Sequence, residues 1–204
     1  LDSNHSGYDH DHALPIFSRQ KMRSGFTVLA ATILTAGLAI VCVARTACSD
    51  ESSSADAVRL DRLTWKQLQE RLVNNKVKFT IVDAWSTTCG PCKENFPHVV
   101  EMHRKYASKG LAVISLSLDD PTDTAAVAEA EKFLKAKKAA CTNVLLDETF
   151  GDGFEKLKIN GIPAVFVFGP DGKEVKRFTM DDPNNQFTYD EVEKAVVALL
   201  DGKQ

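Results

Sequence analysis

Strand-like and helix-like segments alternate along the chain from residue 58 onward. Four runs are apolar and rich in β-branched residues, which is typical of strands buried on both faces. They are VKFTIVDAW at 77–85, LAVISLSL at 111–118, NVLLD at 143–147 and AVFVFG at 164–169. The segments between them carry apolar side chains at helical spacing; they cover 64–75, 90–108, 122–138 and 148–158. Because strands separated by helices pair in parallel, the alternation predicts a three-layer α/β domain.

The last part of this domain predicts a hairpin and a final helix. PDG at 170–172 is a turn sequence that returns the preceding strand into KEVKRFT at 173–179. Thr188 and Glu191 have the spacing of a capping box, so the final helix is expected to begin at Thr188. The hairpin adds an antiparallel edge, and the central sheet is therefore expected to be mixed.

Residues 1–57 differ in composition from the domain that follows. Residues 1–21 are polar and rich in His and Asp without periodicity, which indicates a disordered extension. The stretch 26–44 contains no charged residue, and a helix of that length nearly spans a hydrocarbon core of about 30 Å. Segment 22–45 is therefore predicted to be a signal peptide or a membrane anchor with the N-terminus inside, followed by a linker over 46–57.

This N-terminal segment predicts a protein outside the cytoplasmic membrane, in the bacterial periplasm, either exported or anchored through 26–44. CVA at 42–44 fits a cleavage site with small residues at its first and third positions. RTAC at 45–48 resembles a bacterial lipoprotein box. Arg45 stands where that box has an aliphatic residue, so lipidation of Cys48 is the less favoured interpretation.

Charge and cysteine content disfavour two classes of protein for this chain. The net charge is −3, which gives no electrostatic reason to expect nucleic acid, whose phosphates require a clustered basic face. The chain has five cysteines, an odd and scattered set that does not fit a disulfide scaffold. Only Cys89 and Cys92 form a motif, in CGPC at 89–92.

Cys89 follows a predicted buried strand and opens a predicted helix. A cysteine at this position meets unpaired backbone N–H groups and the positive end of the helix dipole, which lower the pKa of a thiol below about 8.5. The thiolate is the nucleophile of disulfide exchange. Cys92 lies one turn later on the same helix face, so a disulfide with Cys89 needs little backbone movement.

Two other interpretations of the motif are less well supported. A zinc site needs four ligands, usually from a second close pair, whereas Cys141 stands alone and His98 and His103 lie on the same predicted helix. A purely structural disulfide that closes so short a loop removes little entropy from the unfolded chain. No metal or nucleotide cofactor is implied.

VDAWSTTCGPCKENFP closely resembles the active site of thioredoxins, including the Pro five residues after the second cysteine. Downstream, VLLDETFGDGFEKLKINGIPAVFVFGPDGKEVKRF resembles the extracytoplasmic TlpA/ResA-like and redoxin (AhpC/TSA-like) group. The resemblance covers about 64–200. It implies a thioredoxin-like fold with an additional strand–helix unit ahead of the Gly-Ile-Pro sequence at 161–163.

The resemblance also implies roles for individual residues. Cys89 is the attacking cysteine, Cys92 is the resolving one, and the two form the redox disulfide. Pro163 is the cis-proline beside that disulfide, and it exposes the backbone of Ile162 to a substrate chain. Asp83 matches the buried acid of thioredoxins, whose raised pKa suits a base that takes the Cys92 proton.

Three further residues belong to the expected substrate-contacting set, and one position departs from the pattern. Gly90, Pro91 and Trp85 join Ile162 in that set, with Trp85 packed under the motif. Thr88 replaces the Trp that usually precedes the first cysteine. Asp83 has an alternative to the role of base: it is a residue at the end of its strand whose side chain is hydrogen-bonded to backbone.

The main functional hypothesis is a thiol–disulfide oxidoreductase that reduces protein disulfides and receives electrons from an upstream membrane donor. We expect a monomer whose other partner is the disulfide-bearing substrate. One alternative is a redoxin-type peroxidase, although STTC lacks the upstream Pro of that site. The other is a non-catalytic thioredoxin-like binding domain, which an intact dithiol motif disfavours.

Overall fold

The computed structural model describes residues 58–203. Strands and helices alternate along this part of the chain, with a short 3₁₀ turn at Ala107–Lys109. The strands are β1 (Asp61–Leu63), β2 (Phe79–Trp85), β3 (Leu111–Ser117), β4 (Thr142–Leu146), β5 (Ala164–Phe168) and β6 (Glu174–Phe178). The helices are α1 (Trp65–Asn74), α2 (Gly90–Tyr106), α3 (Thr124–Ala136), α4 (Phe150–Leu157) and α5 (Tyr189–Leu200).

The strands form one mixed sheet in the order β1-β4-β3-β2-β5-β6. The first four of these pair in parallel, whereas β5 is antiparallel to both β2 and β6. β2 is therefore a central strand whose carboxyl end leads directly into α2. This connection places the Cys-x-x-Cys motif at the edge of the sheet where the parallel strands end, which is where α/β folds commonly hold their sites.

Helices cover both faces of the sheet. One core cluster joins α2, α3 and α5 to the β2 side chains of Ile81 and Trp85. The other joins α1 and α4 to Val82 and Ala84, because successive side chains of a strand point to opposite faces. The predicted three-layer α/β fold is confirmed, and β4 with α4 supplies the additional strand–helix unit.

Capping residues set the helix starts where the sequence predicted them. Thr64 and Thr188 each accept a hydrogen bond from the backbone N–H three residues later, and Gln67 and Glu191 return the second bond of the capping box. Helix and strand ends otherwise differ from the expected ones by a few residues. β1 was not predicted, since its three residues carry a single apolar side chain and show no period.

The expectations for 1–21, 22–45 and 46–57 fall outside the described residues. Within residues 58–203, no helix is both long and apolar enough to cross a membrane.

Candidate active site

Cys89 caps the amino end of α2. Its Sγ accepts a hydrogen bond from the backbone N–H of Cys92 at 3.2 Å, and its carbonyl accepts the first intrahelical bond, from Lys93. Pro91 lies in the first turn, where its missing N–H costs nothing. A thiolate at this sulfur would therefore meet a backbone donor and the positive end of the helix dipole.

The two sulfurs of the motif differ in their access to solvent. Cys89 and Cys92 form a disulfide, with their Cα atoms 5.3 Å apart. Cys92 is 0% exposed, whereas Cys89 is partly exposed. An incoming partner therefore reaches Cys89 first. Cys92 is placed to act from inside, on a sulfur already bound to Cys89.

The loop before β5 lies against the disulfide. The Ile162–Pro163 peptide bond is cis, and the carbonyl oxygen of Ile162 lies 3.8 Å from the Sγ of Cys89. Pro163 is buried, whereas Ile162 is partly exposed beside it. Gly90 and Pro91 are exposed on the other side of the sulfur. These residues together form the surface that surrounds the accessible edge of the disulfide.

Trp85 packs beneath the motif and has no exposed surface. Its ring contacts Phe96 of α2 and Phe133 of α3, with centroids 5.3 and 5.0 Å away, and its Nε1–H donates to Ser115 Oγ at 2.8 Å. At 0% exposure it cannot touch a substrate, so its assignment to the substrate-contacting set was wrong. The expected packing under the motif is what the structure shows, because Trp85 points into the core beneath α2.

Asp83 lies in the middle of the sheet, where it is paired with Ser115 of β3 and Val165 of β5. It is therefore not a strand-end residue, and its side chain is bound by another side chain. The hydroxyl of Tyr189 donates to its Oδ1 at 2.5 Å, while its Oδ2 is buried with no hydrogen-bond partner among residues 58–203. Burial raises the pKa of Asp83 to about 7, although the Tyr189 hydrogen bond opposes that shift.

The sequence matches a known family over most of the described domain. The family model described as AhpC/TSA family matches residues 54–197, well over half of the chain. The chain belongs to the AhpC/TSA family. The resemblance predicted from the sequence is thereby confirmed.

Two relatives of this AhpC/TSA-family chain are named as thiol-disulfide oxidoreductases. The thiol-disulfide oxidoreductase ResA of Bacillus subtilis (strain 168) is 24% identical over 129 residues, which cover 63% of this chain and 67% of the relative. ResA of Bacillus thuringiensis (strain Al Hakam) is 29% identical over 112 residues, which cover 54% of this chain and 60% of the relative. The matches thus span about two thirds or less of these relatives' length.

A solved structure extends the likeness to the fold. It comes from Chlorobium tepidum and is assigned as the thiol:disulfide interchange protein DsbE. The TM-score is 0.51 at 26% identity, and the match covers 63% of this chain and 84% of the other. The thioredoxin-like fold is confirmed, and these relatives support the enzyme class predicted from the sequence.

Sequence reasoning missed a buried carboxylate in this AhpC/TSA-family site. Asp119 follows β3 and is 5% exposed. It accepts hydrogen bonds from the backbone N–H and the hydroxyl of Thr87, at 2.9 and 2.6 Å, and from Ser117 Oγ at 2.7 Å. It thereby holds the loop that carries Cys89. The sequence could have placed Asp119 near the motif, because Asp119 follows β3 as the motif follows β2. These two strands are parallel, so their carboxyl ends meet at one edge of the sheet.

Cys141 is the third cysteine of the described domain and plays no part in the motif. It is free and 7% exposed, and its Sγ donates to Asn143 Oδ1 at 3.5 Å. Burial raises the pKa of this thiol to about 12, so it stays protonated and inert at neutral pH.

Proposed function

We propose that this chain is a thiol–disulfide oxidoreductase that reduces disulfides in protein substrates through Cys89 and Cys92. The observation that carries the proposal is the pairing of a partly exposed sulfur at a helix N-terminus with a wholly buried sulfur one turn behind it. Backbone donors stabilise a thiolate at Cys89, and burial keeps Cys92 away from competing partners.

The proposed reaction has two exchanges. The Cys89 thiolate attacks one sulfur of the substrate disulfide, and the other substrate sulfur leaves as a thiolate. Cys92 then loses its proton to Asp83 and attacks the Cys89 sulfur, which breaks the mixed disulfide and releases the second substrate thiolate. The substrate disulfide gains two electrons, and the dithiol of the protein becomes a disulfide.

The backbone beside Cys89 supplies a place for a substrate chain. Ile162 is partly exposed and its carbonyl lies next to the sulfur, while Gly90 and Pro91 leave the other side open. We infer that an extended substrate segment pairs with the Ile162 backbone, as an added strand does at a sheet edge. Exposed Thr88 in place of an aromatic residue leaves this surface less apolar.

Disulfide reduction by the purified protein tests the proposal. With dithiothreitol as the electron source, we expect the full chain to accelerate the reduction of insulin disulfides and to consume hydrogen peroxide no faster than free dithiothreitol does. The matched control replaces both Cys89 and Cys92 with Ala, which removes the dithiol. Rapid peroxide consumption without insulin reduction would favour the redoxin-type peroxidase, and neither activity would favour a binding domain.

We further propose that the domain works outside the cytoplasmic membrane, where it receives electrons from a membrane donor. The uncharged run at 26–44 supports this location, because it has the length and polarity of an export or anchoring segment. We expect a reporter fused after residue 57 to be active only in the periplasm of a bacterial host. The control fusion lacks 22–45, and reporter activity confined to the cytoplasm in both fusions would contradict the proposal.

A further inference from the structure

Tyr189 lies in the core beneath the redox motif, although in the sequence it is only the first residue of the last helix. It is 4% exposed, and the Thr188 capping box fixes the start of α5 beside it. Its ring packs between Phe187 and His98, with centroids 5.7 and 5.9 Å away. Its hydroxyl is thereby held against Asp83 Oδ1 at 2.5 Å.

We propose that Tyr189 is a positioning residue for the proton of Cys92, because it occupies one oxygen of Asp83 and leaves the other as the proton acceptor. The proposal rests on the proposed oxidoreductase function. Asp83 Oδ2 is the remaining oxygen of this carboxyl group, and it is buried with no hydrogen-bond partner in the described part of the chain. A buried acceptor without a partner is costly and requires an explanation, of which a catalytic role is one.

Asp83 and Cys92 share one face of the sheet. Ile81 and Trp85 belong to the core cluster that contains Cys92 and Tyr189, and side chains two apart on a strand point the same way. Asp83 stands between Ile81 and Trp85 and therefore points into the same cluster. Since Cys92 is 0% exposed, an internal base is needed to take its proton.

Within residues 58–203, few titratable groups lie near Asp83. Tyr189 approaches from α5, Cys92 of α2 belongs to the same core cluster, and Cys141 precedes β4. His98 of α2 is exposed and stacks on the Tyr189 ring. Among residues 58–203, the Tyr189 hydrogen bond is the only influence that opposes burial in setting the pKa of Asp83. Burial and Asp83 together raise the pKa of Tyr189 well above its usual value, so its hydroxyl remains a donor at neutral pH.

Tyr189 therefore adjusts the base as well as orienting it. A hydrogen bond to an ionised carboxylate favours the charged form, and its loss raises the pKa by about one to two units. With Tyr189 in place, a useful fraction of Asp83 is ionised near pH 7 and can accept the Cys92 proton. Without it, burial alone sets the pKa and the carboxyl stays protonated at that pH.

The test compares Tyr189→Phe with a matched control in the full chain. The control is Tyr106→Phe, which also removes a tyrosine–carboxylate bond between α2 and α5, from Tyr106 Oη to Glu193 Oε1 at 2.6 Å. Two quantities are measured from pH 5 to 9. The first is the ¹³C titration of the Asp83 carboxyl in aspartate-labelled protein, assigned with Asp83→Asn. The second is the rate of mixed-disulfide resolution.

Ellman's reagent reports the resolution step directly. The reduced protein releases one thionitrobenzoate when Cys89 attacks and a second when Cys92 resolves the mixed disulfide. The Cys92→Ser variant releases only the first thionitrobenzoate, so the phase that it lacks is the resolution phase. For Tyr189→Phe we expect the Asp83 titration and the acid limb of the resolution rate to move up by about one to two pH units. Resolution at pH 7 slows at least about fivefold as a result.

The attack phase of Tyr189→Phe and both phases of Tyr106→Phe should keep their wild-type pH dependence. An unshifted Asp83 titration in Tyr189→Phe would overturn the proposal, and so would a shifted titration with an unshifted resolution limb. In the Asp83→Asn background, Tyr189→Phe should change the resolution profile no further. A wild-type protein that reduces no disulfide would instead refute the proposed function, while the carboxyl titration still decides whether Tyr189 controls Asp83.

Discussion

Replacing Cys89 with Ser should reduce insulin reduction to the uncatalysed rate, whereas Cys92→Ser should accumulate a stable mixed disulfide with its substrate. The difference follows from the exposure of the two sulfurs. Cys89 is partly exposed and accepts the Cys92 backbone N–H, so it can attack, whereas Cys92 is wholly buried and acts only after the mixed disulfide has formed. Non-reducing gel electrophoresis after incubation with a disulfide-bearing protein separates the two outcomes.

Cys141 provides the control for this experiment. It is the cysteine of residues 58–203 that lies outside the disulfide, and burial raises the pKa of its thiol to about 12. Cys141→Ala should therefore retain insulin reduction and trap nothing. Accumulation of mixed disulfides by Cys89→Ser, with little by Cys92→Ser, would reverse the assigned order of attack.

The second large effect is expected of Asp83→Asn, which should stabilise the fold in a pH-dependent way. The pKa of Asp83 is raised from 3.8 to about 7. Below about pH 3 the carboxyl is protonated in both folded and unfolded chains, so its ionisation costs nothing. As the pH rises from about 3 to 7, the unfolded chain ionises first and the folded state loses stability, by up to about 4 kcal/mol above pH 7.

The amide in Asp83→Asn carries no such penalty. It keeps an oxygen for the Tyr189 hydroxyl, while its NH₂ group takes the place of the unpartnered Oδ2. We expect the variant to match wild type within about 1 kcal/mol at pH 4 and to exceed it by about 4 kcal/mol at pH 8. Urea unfolding at pH 4, 6 and 8 measures this gain. A gain that does not change with pH would show that Asp83 is not buried as an ionisable group.

The same substitution should slow catalysis at the resolution step. Wild-type resolution is expected to fall below pH 7 as Asp83 becomes protonated. Without the base, resolution should be about 10²-fold slower through pH 6 to 7.5. The two rates should approach each other at alkaline pH, where Cys92 loses its proton unaided. Attack by Cys89 should be nearly unchanged, and the exposed Asp190→Asn on α5 serves as the control.

Equal resolution rates for wild type and Asp83→Asn across pH 6 to 9 would remove Asp83 from the mechanism. The stability gain of Asp83→Asn would then reflect only the free-energy cost of burying an ionisable carboxyl group in the centre of the sheet. The order of attack by Cys89 and Cys92 would be unaffected, because it depends on exposure and helix capping.

The sequence by itself determined the elements of the fold and the place of the dithiol. Strand and helix periodicity, the capping residues Thr64 and Thr188, and the turn at 170–172 all act within a few residues of the chain. The position of Cys89 between a buried strand and a helix is equally local. These features predicted the three-layer fold, the sulfur at the start of the helix and its partner one turn later; the burial of that partner came from the structure.

Only the tertiary structure decided which distant groups meet at the site. Tyr189 reaches Asp83 across 106 positions, and Asp119 reaches Thr87 across 32. Neither contact leaves a periodic or capping signal, because each depends on how α5 packs on the sheet or on which strand lies beside β2. β1 was missed for a similar reason, since three residues become a strand only when β4 offers an edge to pair with. Packing across the sheet therefore decides which partner binds Asp83, and with it the pKa of the proposed base.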